Sequence, residues 1–425
     1  MTTSGVSAKK NQIDSLIRSC RMISRMNKNR PDATRSEQLY YQMLDKYFTR
    51  VQCAKQEGGF VASHTIFFPV EILYAMGLTP LHNEVTTWTS ALLLGNQAEF
   101  LTAGAEAGMA PEICSPHRGL AGAYFKNLLP KPDAVLWTNL ICDNTAKSGE
   151  FLQELTGSPG FFIDHPFSSS PLEEKYIVEE MRDLIAFLEK TSGRKMDYDR
   201  LSQAVVEMDR RMKLQAEIVE LRKAVPSPFA TRRFLEFLTV DYMFSGQPDA
   251  TQYLTTLRDE LAEMVKNKQG AVSPEKLRLM TLFIPPIYLI GSLDGIFREH
   301  GAVSVTEPLF TYWKYQPLDP SHPLESISKK SRLIPEARTM YGPLGQATLQ
   351  DIRDCARSYK VDGCIYYAFI GCRHTCAVIK LFKDVLNESD VPVLTLDCDL
   401  VDPTISPEGE VRQKLEQFFE LLEDR

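Results

Sequence analysis

The chain has 425 residues, which at roughly 150 per domain predicts two or three domains with cores that need no staples. Lys and Arg number 48 against 55 Asp and Glu, a formal net charge of −7, and 44% of the residues are hydrophobic. This excludes whole-chain disorder and gives no electrostatic case for a nucleic-acid binder.

In chain order, residues 8 to 57 read as a charged helical region, with Ile13, Leu16, Ile17 and Ile23 at helical spacing. The first 60 residues hold eleven Lys/Arg and five Asp/Glu, the pattern of a solvated helical face or of a docking surface for an acidic partner. This predicts an N-terminal helical arm over 1–58. The first residues lack the apolar core of an export signal, and the longest apolar stretch, Leu279 to Ile290, is broken by Pro285-Pro286. No membrane segment is expected, and the location expected is cytoplasmic.

From Phe60 short apolar runs alternate with helical stretches: GGFVAS, PVEILYAMG, LTPLHN, DAVLWTNLIC, a helix through Glu150 to Leu155, and GFFIDHP. Residues 59–170 are therefore expected to form a first α/β domain on a parallel sheet. Residues 171–270 read as helical throughout, punctuated by Pro226-Ser227-Pro228-Phe229. Alternation returns over 271–425, a second α/β domain: LRLMTLFIPPIYL, a helix near Leu293 to His300, AVSVTEPLF, a helix at Thr348 to Tyr359, DGCIYYAFIG, a helix at Ala377 to Asn387, VPVLTLDCD and a terminal amphipathic helix from Glu408 to Glu423. The fold class is thus α/β, two parallel-sheet domains joined by a helical middle, without a defensible internal repeat. A cleft facing the carboxyl ends of both sheets is the expected ligand site.

Nine cysteines, an odd number in a chain expected to stay reduced, argue against a disulfide framework. Cys364 and Cys398 lie in apolar runs and read as core, whereas Cys20, Cys53 and Cys355 have no evident partners. Three others are set differently. Cys114, in PEICSPHR, reads as the end of a helix before a loop, while Cys142 and Cys372 close the strands DAVLWTNLIC and CIYYAFIG. Strand ends converge on the top of a parallel sheet, so these thiols either meet across the cleft or serve as small buried hydrophobes. Cys376, four residues beyond Cys372, is a further candidate ligand.

The stretch Phe68-Pro69-Val70-Glu71-Ile72-Leu73-Tyr74-Ala75-Met76-Gly77-Leu78-Thr79-Pro80 resembles a segment near the start of 2-hydroxyacyl-CoA dehydratase subunits. The likeness continues in order through Glu112 to Ser115, Pro132-Asp133 to Ile141-Cys142, Phe162 to Pro166, Pro226 to Phe229, Val361-Asp362-Gly363 to Gly371-Cys372, and Asp397 to Pro403, covering roughly residues 60 to 425. The family includes the benzoyl-CoA reductases, and this chain is most similar to the larger, alpha-type dehydratase subunit. The resemblance implies a [4Fe-4S] cluster on Cys114, Cys142 and Cys372, with one iron open to another ligand. It implies a related second subunit, an acyl-CoA substrate, and a transient ATP-dependent iron–sulfur activator, for which the basic arm at Arg18, Arg21 and Arg25 or the cluster rim is the expected dock. The activator would supply one electron, and the thioester would pass through a ketyl radical anion before the α-hydroxyl leaves.

By the same resemblance Glu71 is the candidate base, its rival role being a first-turn complement to the helix dipole. Ser63, His64 and Thr65 are candidates to contact the thioester or the leaving hydroxyl, and a turn or helix-entry role is their rival. His117, Arg118, Arg373 and His374 either tune the cluster and bind CoA phosphates or are simply exposed, and Trp88 and Tyr366-Tyr367 read as core. The Arg373-His374-Thr375-Cys376 run departs from the family and is similar to relatives with a double-cubane cluster. No cysteine lies between Cys142 and Cys355, so a single cluster is expected. The alternatives are an aromatic acyl-CoA reductase subunit, a non-catalytic electron-transfer subunit, and a cluster-free binding protein.

Overall fold

The computed structural model describes residues 11–30, 33–167, 170–340 and 346–425, so residues 1–10, 31 and 32 of the expected arm lie outside the described residues. Two four-stranded parallel sheets form among them. The first holds β1 (Val61–His64), β2 (Thr79–His82), β3 (Ala134–Thr138) and β4 (Gly160–Ile163) in the order β2-β1-β3-β4. The second holds β5 (Leu277–Leu282), β6 (Ala302–Thr306), β7 (Gly363–Phe369) and β8 (Val393–Cys398) in the order β6-β5-β7-β8. Most of these strands are short runs buried on both faces, because helices cover parallel sheets on both sides.

The two orders are the same, each with the first strand inside and the second and third on either side of it. The sequence carried no recognisable repeat, yet the chain repeats its topology. In such a sheet the crevice opens where successive connections leave in opposite directions, between β1 and β3 in one sheet and between β5 and β7 in the other.

Helices 12–29 and 35–56 make up the described N-terminal region. Ile13, Leu16, Ile17 and Cys20 are buried, and Thr34 with Glu37 forms a capping box at the start of the second helix. Both pack against the first domain, so the region is a cap on the core. The middle of the chain forms helices Pro171–Ser192, Tyr198–Leu221, Arg233–Met243 and Pro248–Lys266. At the end of the second of these, Arg222 forms a bidentate pair with Glu307 just past β6, at 2.6 and 2.8 Å, and also donates to Ser304 O. That contact ties the helical middle to the second sheet.

Four segments not assigned as helices from the sequence are also helical: Asn83–Leu94, Gln97–Glu106, Ser115–Phe125 and Pro323–Leu333. No helix among the described residues is long and apolar enough to cross a membrane.

Candidate active site

At the carboxyl ends of both sheets lies a cavity of about 120 Å³. Its wall takes Ile66 and Phe67 from the end of β1, Glu84 and Trp88 from the helix after β2, Ile141 and Cys142 from beyond β3, and Phe283 and Ile284 from beyond β5. Leu309 and Phe310 follow β6, Phe369 and Cys372 lie at and just past the end of β7, and Cys114, His117, Tyr242 and Glu336 complete much of the surface. Phe67, Ile141 and Phe283 adopt φ of 60°, 69° and 66°. Left-handed backbone is costly for such residues and persists where surrounding packing over-determines it, commonly at functional sites.

Cys142 and Cys372 occupy equivalent places, each shortly after the third strand of its sheet, which is why they face one cavity. The strands themselves end earlier than expected, at Thr138 and Phe369, and each cysteine caps the helix that follows, Asp143–Thr156 or Arg373–Ala377. Cys114 corrects the expectation more directly. It does not end a helix but immediately precedes helix Ser115–Phe125, because Pro116 belongs in a first turn, where its missing N–H costs nothing. Gly371 packs on the Cys114 backbone so closely that a Cβ there would lie 3.0 Å from Cys114 Cα. Asn144 Nδ2 donates to Gly371 O at 3.1 Å, joining the turns that carry the cysteines.

Burial pushes all three thiols above their ordinary range, and the charge of Cys372 raises Cys114 and Cys142 further. Thiols so placed ionise together only against a strongly positive partner. Among the described residues no group of three or more His, Cys, Asp or Glu side chains is arranged for a single metal ion. An iron–sulfur cubane asks for something else, one soft thiolate for each of several irons, so its ligands stand farther apart. Three thiols on one cavity, with no Lys or Arg among its wall residues, fit that donor set. Cys376 is exposed, and its Sγ lies 3.3 Å from Phe369 O, outside the wall. All nine cysteines are free. Cys364 and Cys398 are core as expected, and Cys20 and Cys355 are buried too.

Glu71 does not reach the cavity. It is fully buried against the helical middle, accepting from Lys330 Nζ at 2.8 Å and from Ser245 Oγ. Burial pushes its carboxyl up, but the charge of Lys330 and these hydrogen bonds outweigh that and hold it below the ordinary carboxylate range. Both hydrogen bonds fall on Oε1 and Oε2 has none, but the ion pair with Lys330 supplies the counter-charge. Ser63, His64 and Thr65 are buried at the end of β1 and also lie off the wall; Ser63 Oγ donates to Asn83 Oδ1. Burial lowers His64 to about 4, so it stays neutral.

The cavity's buried carboxyls are instead Glu84 and Glu336; Asp143, also on its wall, is exposed and paired with Arg373. Glu84 sits in the first turn of helix Asn83–Leu94, where its Oε2 accepts from Ile66 N at 3.0 Å. Its Oε1 has no hydrogen-bond partner and lies 3.5 Å from His117 Nδ1. Glu336 Oε1 accepts from Tyr242 Oη at 2.7 Å, and its Oε2 is likewise unpartnered. Burial raises each to about 8. A signal for Glu84 was present in the sequence, because His82-Asn83-Glu84 follows an apolar run at a strand's carboxyl end, the logic that singled out the cysteines. Glu336 had none, lying in a stretch without periodicity.

The basic neighbours of the cysteines divide. His117 and His374 are on the wall, whereas Arg118 is tied to Asp402 and Arg373 is exposed and paired with Asp143 at 2.9 Å. Trp88 is buried as expected but also forms wall; Tyr366 and Tyr367 are core.

Fold and cavity together define a two-sheet α/β protein with a thiol-lined, carboxyl-bearing pocket at paired crevices. Residues 65–422 match the family described as 2-hydroxyglutaryl-CoA dehydratase, D-component, and the chain belongs to that family. It is 26% identical to the (R)-phenyllactyl-CoA dehydratase alpha subunit of Clostridium sporogenes, over 87% of this chain and 91% of that one. Identity is 23% to the (R)-2-hydroxyisocaproyl-CoA dehydratase alpha subunit of Clostridioides difficile, over 90% and 95% of the two chains. A benzoyl-CoA reductase subunit of Thauera aromatica is 22% identical over 70% of this chain and 72% of its own length.

Proposed function

We propose that this chain is the iron–sulfur catalytic subunit of a 2-hydroxyacyl-CoA dehydratase, working with a related second subunit and an ATP-dependent iron–sulfur activator. The observation that carries the reading is the meeting of Cys114, Cys142 and Cys372 with the free carboxyl oxygen of Glu84 in one cavity. The three thiolates would hold a [4Fe-4S] cluster, which when bound supplies a low-potential electron and a Lewis-acidic iron.

The reaction breaks the C–O bond at C2 and a C–H bond at C3 of the acyl thioester, forms a C2–C3 double bond and releases water. Glu84 Oε1 is the oxygen we assign to the C3 proton, since it accepts no hydrogen bond, its charge reaches Cys114 and Cys142, and burial raises the carboxyl to about 8. The Ile66 N–H holds the other carboxyl oxygen and fixes the group's orientation. Trp88, Phe283 and Phe310 keep water from the reacting carbons.

The test is iron and acid-labile sulfide per chain after anaerobic purification, in the wild type and in Cys114→Ala, Cys142→Ala, Cys372→Ala and Cys376→Ala. About four iron atoms per chain are expected, lost in the first three variants and kept in the fourth. An iron-free wild type after anaerobic reconstitution would overturn the reading. The likeness to the benzoyl-CoA reductase chain supports a second reading, aromatic acyl-CoA reduction. Product analysis separates the two: a redox-neutral enoyl-CoA means dehydration, and a product two electrons richer means reduction. A non-catalytic electron-transfer role predicts turnover indifferent to Glu84.

A further inference from the structure

On the reading that this is a 2-hydroxyacyl-CoA dehydratase subunit, the reaction needs two proton transfers, and Glu84 accounts for one. The C3 proton must be accepted, and the C2 oxygen must gain a proton to depart as water. Carboxyls of Glu84, Asp143 and Glu336 are on the cavity wall. Asp143 is exposed and paired with Arg373, which leaves Glu336 beside Glu84. No Lys or Arg is among the wall residues, and the hydroxyls of Thr339 and Thr375 donate to Glu336 O and Phe369 O, at 2.7 and 3.1 Å.

The two buried carboxyls differ in the partner that packing gives them. Glu84 accepts from the Ile66 backbone N–H, which can only donate and so favours the carboxylate. Glu336 meets the phenol of Tyr242, which donates to its Oε1 at 2.7 Å. A phenol accepts as well as donates, so that partner suits the acid as readily as the carboxylate. With Glu336 protonated, the pair holds two O–H protons and shares one hydrogen bond. One proton is left over, and Glu336 Oε2 is the buried oxygen without a partner. Burial raises the Glu336 carboxyl to about 8, so near neutral pH that proton is present. Tyr242 also joins the two carboxyls, since its ring lies 5.9 Å from that of Trp88, one turn after Glu84. Burial and the charges of Glu336 and Glu84 together raise the Tyr242 hydroxyl well above its ordinary range. We propose that Glu336 is the acid that protonates the departing C2 oxygen, opposite in role to Glu84. Summed over the reaction, the C3–H electron pair becomes the second C2–C3 bond, the C2–O pair leaves with the oxygen, and the Glu336 proton completes a water molecule. The C3 proton ends on Glu84, and exchange with solvent returns both carboxyls to their starting states.

The test compares the wild type with Glu336→Gln, which keeps the shape and a hydrogen-bond donor but has no acidic proton. The full-length protein is purified anaerobically with its partner subunit. It is assayed with activator and ATP on 2-hydroxy-3-phenylpropanoyl-CoA, 2-hydroxy-4-methylpentanoyl-CoA and 2-hydroxyglutaryl-CoA. Turnover should fall by about 10²–10⁴-fold in the variant, while calorimetric binding of the thioester and iron content stay within about twofold of the wild type. A second readout is the pH profile. The groups facing Glu336 are Tyr242 and Arg211, and Arg211 is paired with Asp241. On the neighbouring helices Lys330 is held by Glu71, and Asp351 by Arg338 and Lys314. Wild-type turnover should fall as pH rises through about 8, where Glu336 gives up its proton, and the residual turnover of the variant should lack that limb. Variant turnover within about threefold of the wild type overturns the proposal and leaves the dehydratase reading standing. So does a falling limb that persists in the variant. A loss of turnover matched by an equal loss of binding or iron also overturns it, since the role would then be structural. A wild type that dehydrates none of these thioesters overturns the dehydratase reading itself, and the proposal with it.

Discussion

At the scale of single residues, the site depends on which buried carboxyls packing supplies with a counter-charge. Glu71 and Glu84 are both buried first-turn glutamates in the first domain, and only their neighbours distinguish them. Each leaves one oxygen without a hydrogen-bond partner, but Lys330 neutralises the first, while the second has a backbone N–H and no Lys or Arg paired with it among the described residues. Glu84→Gln keeps the shape and removes the base, so turnover should fall by about 10²–10⁴-fold with iron content unchanged, read by steady-state assay beside iron analysis. Glu336 lends itself to a stability measurement. Its folded pKa is raised by burial from 4.5 to about 8, so between those values the folded protein binds a proton that the unfolded chain has lost. Stability therefore falls as pH rises through this window, by up to about 1.4 kcal/mol per pH unit for one such group. Tyr242 donates to this carboxyl and the charge of Arg211 offsets part of the rise. Glu336→Gln should flatten the slope of unfolding free energy between about pH 5.5 and 7.5 by that amount, measured by urea denaturation; an unaltered slope would show that Glu336 is ionised in the fold.

At the scale of elements, two close approaches position the cysteines. Helices Gln97–Glu106 and Ser115–Phe125 cross at Gly104 and Gly122, where an added Cβ would fall 2.1 Å from Arg118 O and 1.9 Å from Phe100 O. Those neighbours are backbone and cannot rotate aside. Gly122→Ala should lower the unfolding free energy by about 3 kcal/mol, the upper part of the range for overpacking, as measured by chemical denaturation. The second approach is Gly371 on Cys114. Gly371→Ala must move the Cys372 turn away from the Cys114 turn, and the expected result is a fold of near-normal stability that retains less iron after anaerobic reconstitution. Strand positions and the terminal helix were legible in the sequence, because buried parallel strands are short apolar runs between turn residues. Helices Asn83–Leu94 and Ser115–Phe125 were not: nearly every residue in them is buried, Thr86, Thr87, Ser90 and Arg118 included, so neither shows an amphipathic stripe.

At the scale of the whole molecule, two sheets of identical strand order present their carboxyl ends to a common cavity, and the helical middle holds the arrangement. Arg222 and Glu307 are nearly inaccessible, so removing one partner strands the other charge. Arg222→Met should cost about 3–5 kcal/mol, and Arg222→Met combined with Glu307→Leu should recover much of that loss in urea denaturation. By itself the sequence determined the α/β class, the helical middle, the short buried strands and the three cysteines worth following, because periodicity and local residue chemistry are written along the chain. It also carried the family likeness, which the match over residues 65–422 established. Only the tertiary structure decided that Cys114 opens a helix, that the strand orders repeat, and that Glu84 and Glu336 rather than Glu71 face the thiols. Those outcomes rest on contacts between residues far apart in the chain, such as Lys330 with Glu71 and Tyr242 with Glu336. Whether a buried carboxyl is paired or left free is set by the partner that packing brings to it, and no local pattern records that partner.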